Sequence, residues 1–498
     1  MRPVVLAMLF VTAAAHAQTL PECRAHQAHG RAAEAKSCFQ RLTASPRPFL
    51  RAEGFWGIED FKSANDQFKL AVAAEPKNPE ARVRWGRLFL ARFNKAEAAN
   101  LFTEAIEIDK NYAPAHLGLA LVAAQGFGPK AVEFAAKAIE LDPKLVEAQE
   151  LLAYLALEDN DTPKAKNEAN RALAISPEGL DALAVLATID LLDDKSGKEW
   201  LDRIYKTNPI YGQAYAIAGH FFVINRRYQE GIALYRKALD LSPKLWEARA
   251  QLGVNLMRLG EEDEARQQLE QCYSNAYRND ETVNSLRLLD SYKNFKTFKT
   301  ATTVLRLQKK EADLLYPYIQ SELDRALKTY EQKYQMKLTD PVQLEVYPEH
   351  EDFAVRTMGM PGLGALGVTF GNVVAMDSPS GRTPGSFHWA STLWHELSHV
   401  YVLSATKHRV PRWFTEGMAV YEETAASPDW GDRLDPEAIN AIEKKKLLPV
   451  AELDRGFIRP SYPNQVIVSY FQAGRICSYI SQKWGYSKLL EMMHAYAN

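Results

Sequence analysis

The sequence predicts a multidomain chain in which an all-α array of helical repeats is followed by an α+β domain. The first observation is a run of similar segments between about residues 50 and 290. The second is a change after residue 290 to short stretches with strand-like alternation, followed by helical periodicity to the end. A chain of 498 residues is also too long for one hydrophobic core.

The charge balance excludes two classes of partner. The chain has 60 basic and 62 acidic side chains, and its formal net charge is −2. A nucleic-acid-binding or membrane-surface protein normally shows an excess of basic charge. We therefore expect neither a nucleic-acid partner nor binding to a membrane surface.

The first residues have the pattern of a secretory signal. Met1-Arg2 is basic, the stretch from Val4 to Ala15 is almost wholly apolar, and Ala15-His16-Ala17 has the form of a cleavage site. We predict a signal peptide over residues 1–17. An uncleaved anchor is the alternative, but the apolar run is short for a membrane span. The expected mature protein has no membrane span and is periplasmic or secreted.

The four cysteines leave one question open. Cys23 and Cys38 are close enough in sequence to form a disulfide, which an oxidising compartment would favour. Two reduced core cysteines explain the same residues equally well. Cys272 and Cys477 are isolated in the sequence.

The repeats show two coincident registers. A helix-breaking proline recurs every 32 to 34 residues, with lysine in its place at one of the six positions. The positions are Pro76, Lys110, Pro143, Pro177, Pro209 and Pro243. Ten residues after each lies a small residue that would let paired helices approach closely, at Gly86, Ala120, Ala153, Ala187, Gly219 and Gly253. We assign residues 18–49 to an N-terminal helical cap and 50–297 to the array.

This array resembles the tetratricopeptide repeat family. The resemblance implies a right-handed superhelical solenoid of helix pairs whose concave face holds a peptide or partner protein. Repeats of this kind bury their apolar faces only by stacking. The alternative is a spacer that rigidly displays the next domain.

The domain predicted over residues 298–498 has a mixed pattern. Ala301–Leu307 and Pro341–Tyr347 read as strands, with Leu344 and Val346 on one face and Glu345 on the other. A helix is expected through Leu315 to Tyr330, and a further strand over Asn372–Met376. By analogy with sheet edges that bind peptides, the last strand could pair with an extended substrate.

The residues that indicate chemistry are His395-Glu396-x-x-His399. On a helix, positions i and i+4 share a face, so both imidazoles can bind one metal ion while Glu396 lies beside it as a general base. Downstream, Glu416 lies one turn into a helix that Pro411 could begin. Two histidines and a glutamate are a standard zinc set, so we predict Zn2+ bound by His395, His399 and Glu416. Other first-row divalent metals can occupy such ligands.

The C-terminal residues resemble the gluzincin metallopeptidases, and specifically the small peptidase-MA-like domains found beside tetratricopeptide repeats. The resemblance rests on Trp394–Val400, on Pro411-Arg-Trp-Phe-Thr-Glu-Gly-Met-Ala and on Leu447–Leu453. It implies a gluzincin-type zinc metallopeptidase fold with Glu396 as catalytic base. Larger gluzincins place an aspartate four residues after the ligand glutamate, where this chain has Val420.

Several other residues remain open. Glu423 could replace that aspartate, although an exposed helix glutamate is the simpler interpretation. Tyr462 and Tyr470 could stabilise an oxyanion, although core or surface tyrosines are commoner. His388, His408 and His494 lack ligand spacing and are expected to be structural or solvated, and Asp435-Pro436 reads as a helix N-cap.

The sequence thus predicts an exported zinc metallopeptidase that hydrolyses peptide or protein substrates, with repeats that recruit substrate or partner proteins. The alternative from another class is a repeat-based interaction protein whose metal domain is structural or degenerate. Glu396 argues against that alternative because a purely structural site needs no base. Hydrolysis of a non-peptide amide is a third interpretation.

Overall fold

The computed structural model describes residues 19–126, 128, 130–360, 364–431 and 434–497. The predicted signal peptide lies outside these residues. Within them, no helix combines the length and the apolar character needed to cross a membrane. The chain divides into two compact units, one made of the described residues up to Leu151 with Tyr205–Ile210, and one made of Leu152–Ile204 with the residues from Tyr211 onward.

The described residues from Thr19 to Ser291 form helices joined by turns. The helices are α1 (Leu20–Ala28), α2 (Ala32–Leu42), α3 (Pro48–Gly57), α4 (Phe61–Ala74), α5 (Pro79–Ala91), α6 (Lys95–Ile108), α7 (Ala113–Ala124), α8 (Lys130–Leu141), α9 (Val146–Glu158), α10 (Thr162–Ile175), α11 (Leu180–Leu192), α12 (Lys198–Thr207), α13 (Gln213–Ile224), α14 (Tyr228–Leu241), α15 (Trp246–Arg258), α16 (Glu262–Ser274) and α17 (Asp280–Ser291). This series has the alternating helix pairs that the repeat pattern predicts.

Small residues let the helices of a pair approach closely. A Cβ added to Gly86 would lie 2.7 Å from Phe102, one added to Gly219 would lie 3.1 Å from Tyr235, and one added to Gly253 would lie 2.7 Å from Leu269. In each case the large partner follows the glycine by sixteen residues. The small position of one helix therefore receives a large side chain from the next, which confirms the predicted role of these residues in the pairing.

The N-terminal helices α1 and α2 are joined covalently. Cys23 and Cys38 form a disulfide, and both are fully buried with Leu20, Phe39 and Leu42. Of the two alternatives that the sequence left open, the structure shows the disulfide.

The C-terminal domain contains a mixed sheet of five strands, in the order β1-β2-β3-β5-β4. The strands are β1 (Phe295–Lys299), β2 (Thr303–Gln308), β3 (Val342–Tyr347), β4 (Gly367–Phe370) and β5 (Val373–Asp377). The three strands β2, β3 and β5 are parallel neighbours, and β1 and β4 flank them in antiparallel orientation.

One prediction about this sheet is wrong. The strand predicted over Asn372–Met376 is β5, which is paired on both sides and has no free edge. The glycine-rich segment before it forms a further strand, β4, and the pair β4–β5 closes through Gly371 at φ 63°. The outer strand at this side of the sheet is therefore β4.

The remaining helices are α18 (Ala312–Tyr334), α19 (His350–Met358), α20 (Trp389–Ala405), α21 (Arg412–Ala426), α22 (Pro436–Glu443), α23 (Leu453–Ile458), α24 (Gln465–Trp484) and α25 (Tyr486–Ala495). Helices α18 and α20 cover one face of the sheet, where Leu344 and Val346 are buried. Helix α19 covers the other face. Asp435 caps α22 by accepting a hydrogen bond from the Ala438 N–H at 2.7 Å, as predicted.

Candidate metal centre and active site

The candidate site lies between α20 and α21, which are packed against each other. Helix α20 brings His395, Glu396 and His399 to one side, and its first turn is capped by the His388 ring, which accepts from the Ser391 N–H. Helix α21 begins after Pro411 and presents Glu416 from its second turn. Both helices are largely buried, so their side chains have little freedom to move away.

Three predicted residues converge. One ligand atom from each of His395, His399 and Glu416 lies within 4.8 Å of the others. A single carboxylate oxygen of Glu416, Oε2, lies 3.3 Å from Nε2 of His395 and 3.1 Å from Nε2 of His399. Two imidazole nitrogens and one carboxylate oxygen facing a common point form a donor set that suits zinc.

The other ring nitrogens are already occupied. Nδ1 of His395 lies 2.6 Å from Oε1 of Glu423, and Nδ1 of His399 lies 2.8 Å from Oγ1 of Thr415. A carboxylate only accepts hydrogen bonds, so His395 donates to Glu423 through Nδ1, and in the neutral ring the lone pair then lies on Nε2, the atom that faces Glu416. Metal-binding histidines commonly have such a partner on the second nitrogen. Both rings therefore have a partner on the nitrogen that faces away from Glu416, which fits a pair of metal-binding histidines.

The structure contradicts the simpler of the two interpretations of Glu423. It is not an exposed helix glutamate, because its side chain is only 13% exposed and contacts His395. Seven residues after Glu416 is two helical turns, so both carboxylates point from the same face of α21. Glu423 therefore supplies to His395 the polar contact that Val420 cannot make.

Glu416 divides its two oxygens between two kinds of partner. Oε2 faces the imidazoles, whereas Oε1 accepts from Nε of Arg412 at 2.8 Å and from Nη2 of Arg226 at 3.1 Å. Burial opposes the charge of this carboxyl group, but Arg412 and the two histidines hold its pKa well below its usual range. Glu416 is therefore a charged ligand group at neutral pH.

Glu396 lies beside this group and contacts the outer strand β4. Its Oε2 accepts a hydrogen bond from Oγ1 of Thr369 at 2.7 Å. A Cβ added to Gly367 would lie 2.7 Å from Cγ of Glu396, so a larger residue would not fit there. The strand and the side chain of Glu396 are thus in direct contact.

The two tyrosines that the sequence offered as oxyanion donors lie in different places. Tyr470 lies at the site, with its ring centroid 6.0 Å from that of His395, and the charge of Glu416, followed by burial, raises its pKa. Tyr462 instead lies under the ammonium of Lys446, at 4.7 Å. Sequence reasoning missed the roles of Thr369, Thr415 and Arg226; Thr415 lies in the quoted segment from Pro411 onward, but its contact with His399 was not foreseen.

Two family profiles match parts of the chain. A family profile described as Peptidase MA superfamily matches residues 324–498, and one described as Tetratricopeptide repeat matches residues 223–287. The chain carries a tetratricopeptide repeat region followed by a Peptidase MA superfamily domain. The predicted fold class is confirmed.

Solved structures of tetratricopeptide proteins are similar to parts of the chain. YrrB, described as a TPR protein with an unusual peptide-binding site, is 17% identical, with 36% of this chain and 95% of YrrB covered and a TM-score of 0.24. Pseudomonas aeruginosa pilF is 21% identical over 40% of this chain and 94% of its own, with a TM-score of 0.27. The thermophilic TPR protein TTC0263 of Thermus thermophilus is 15% identical over 42% of this chain and 97% of its own, with a TM-score of 0.29.

Proposed function

We propose that this protein is an exported, zinc-dependent metallopeptidase. The observation that supports this most is the convergence of His395, His399 and Glu416 on one point, with both Nδ1 atoms already occupied. The Peptidase MA match over residues 324–498 supports a peptidase-like domain. A bound zinc ion would polarise a scissile carbonyl and lower the pKa of water.

Glu396 is the general base of the proposed reaction. It takes a proton from the attacking water as the new C–O bond forms, and delivers it to the leaving amine as the C–N bond breaks. The hydrogen bond from Thr369 holds one of its oxygens, which fixes the side chain next to the metal ligands. Tyr470 lies close enough to His395 to be the donor that stabilises the oxyanion.

The proposed substrate is an extended peptide that pairs with β4. This strand is the last one of the described sheet on the side of Glu396, and among the described strands it pairs with β5 alone, as an edge strand that could add a peptide does. The absence of a side chain at Gly367 lets the strand approach Glu396 closely. A peptide added to β4 would therefore run past the base.

The repeats suggest a protein or peptide partner. The side chains of the repeats that belong to the second compact unit indicate which chemical groups that partner carries. Tyr154 stacks on His220 at 5.8 Å, and Nε2 of His220 lies 3.5 Å from Glu158. Acidic and aromatic groups together favour a segment that carries basic side chains.

The decisive experiment measures metal content and peptide hydrolysis of the mature protein together. Wild type is expected to hold one zinc ion and to cleave casein or a peptide library. Glu396→Gln should keep the metal and lose about two to four orders of magnitude in rate, because the base is gone. His395→Ala should lose both metal and activity. Glu491→Gln, the same change at a side chain that is 63% exposed, is the control.

Two results would contradict the proposal. Wild type that binds zinc but cleaves nothing in a broad library would indicate a structural or degenerate metal domain, and the repeats would then be the functional part. Wild type that binds no first-row divalent metal would show that the three ligands do not form a site.

A further inference from the structure

Several of the described turns within helix pairs contain a residue with left-handed backbone, and Arg226 occupies one of these turns. Residues at this position are Glu59, Phe93, Asn160, Asp194, Arg226 and Gly260, with φ between 57° and 82°. Their spacing follows the repeat. Arginine is an unusual choice there, because glycine and asparagine adopt this conformation at lower cost.

The last three of these turns all lie against the C-terminal domain. Asp194 accepts from Nε and Nη2 of Arg409 at 2.7 and 2.8 Å. A Cβ added to Gly260 would lie 3.3 Å from Oε1 of Gln343. Between them, Arg226 reaches Glu416, which follows it by 190 residues. The contact between Arg226 and Glu416 is therefore one of three contacts that successive repeat turns make with the C-terminal domain.

The turn that bears Arg226 is held firmly on both sides. The neighbouring Arg227 is 4% exposed and donates to Asp194 at 2.6 Å. Tyr228 packs edge-on against Phe370 at the end of β4, with ring centroids 5.6 Å apart. Because both neighbours are anchored, the backbone of Arg226 has a defined position relative to α21.

We propose that Arg226 is a positioning residue for Glu416, so that the repeat array supplies part of the metal centre. This rests on the proposed function, because it assumes that Glu416 binds the metal. Arg226 fixes Oε1 and leaves Oε2 as the one oxygen that faces His395 and His399. Arg412 holds the same oxygen but is 42% exposed, whereas Arg226 is 15% exposed and belongs to the anchored turn.

The experiment measures zinc affinity by competition with a chelator, using the whole mature protein. Arg226→Gly removes the side chain and suits the left-handed backbone, so the metal-free protein should melt near the wild-type temperature. Its zinc dissociation constant should rise about tenfold or more, the usual effect of losing a partner of a metal ligand. The visible spectrum of the cobalt(II) form should shift, because that spectrum reports ligand geometry. Arg226→Lys should recover part of the affinity.

Arg409→Gln is the matched control. It breaks a contact of the neighbouring turn with the same domain but does not touch Glu416. Its zinc affinity and cobalt spectrum should match wild type, even if its melting temperature falls.

Three outcomes overturn this proposal and leave the proposed function standing. Unchanged affinity and spectrum in Arg226→Gly would show that Arg412 alone holds the ligand. Tighter zinc binding in Arg226→Gly would show that charge repulsion between guanidinium and metal outweighs positioning. An equal loss in Arg409→Gln would show that the effect comes from loosening the interface. Wild type that binds neither zinc nor cobalt(II) would instead overturn the proposed function, and this inference with it.

Discussion

His395 and Glu423 form a hydrogen-bonded pair, with Nδ1 of the ring 2.6 Å from Oε1 of the carboxylate. The second oxygen of Glu423 accepts from the Ser391 hydroxyl, which holds the carboxylate in place. This pair orients the proposed ligand ring from a position two helical turns beyond Glu416. In the proposed site it takes the role that the resemblance to gluzincins assigns to an aspartate at the position of Val420.

We therefore predict that Glu423→Gln weakens zinc binding by about ten- to a hundredfold, the range found for partners of metal-binding histidines. The glutamine can accept a hydrogen bond but carries no charge to support the imidazole. Chelator competition measures the effect, with Glu491→Gln as the control. An unchanged dissociation constant would mean that the packing of α20 alone orients the ring.

Gly367 and Glu396 are in such close contact that the glycine limits where the base can lie. Gly367→Ala would place its Cβ 2.7 Å from Cγ and 2.9 Å from Oε1 of Glu396. We expect the side chain of Glu396 to be displaced and kcat to fall by about a hundredfold, because a displacement of about 1 Å costs that much. Metal content should not change, since no ligand is touched.

Gly364→Ala is the control for that experiment, because an added Cβ there meets nothing within 4 Å. Its kcat should equal that of wild type. A Gly367→Ala protein with full activity would show that Glu396 adapts or is not the base.

Glu345 and Arg356 form a fully buried ion pair, with Nε of the arginine 2.6 Å from Oε2 of the carboxylate. Burial opposes the charge of Glu345, but Arg356 and Arg306 lower its pKa from 4.5 to about 2. The carboxylate therefore stabilises the folded protein fully above pH 4.5, and this contribution is lost as the pH falls through 2. A lowering of that size corresponds to about 3 kcal/mol.

We predict that Glu345→Gln lowers the free energy of unfolding by about 3 to 5 kcal/mol at pH 7, because Arg356 loses its partner in the interior. The difference from wild type should narrow as the pH falls from about 4.5 towards 2. Denaturant melts at several pH values measure this. A difference that does not change with pH would show that lost packing, and not lost charge, causes the destabilisation.

The disulfide between Cys23 and Cys38 gives a prediction about the compartment. Protein purified from its native compartment without reductant should show two thiols on denaturation, from Cys272 and Cys477, and four after reduction. Four thiols without reductant would argue against export. Cys23→Ser with Cys38→Ser should lower the stability of α1 and α2 by about 3 kcal/mol, as a closed loop of this length predicts.

Patterns that are local in the sequence led to correct predictions. The repeat register predicted the close approach at Gly86, Gly219 and Gly253, because each depends only on a side chain sixteen residues away. Alternation predicted β2 and β3, and helical spacing predicted α18. The edge strand was predicted wrongly because strand order depends on which segments pair, and the pattern over Asn372–Met376 is the same for a central strand.

The sequence by itself determined which two histidines share a helix face in the candidate donor set, because i and i+4 on a helix share a face whatever surrounds them. It also determined the two kinds of fold, helical repeats followed by an α+β domain. Only the tertiary structure decided which distant groups complete the site. Thr369, Glu423 and Arg226 reach Glu396, His395 and Glu416 through the packing of separate elements, and no spacing along the chain encodes those contacts.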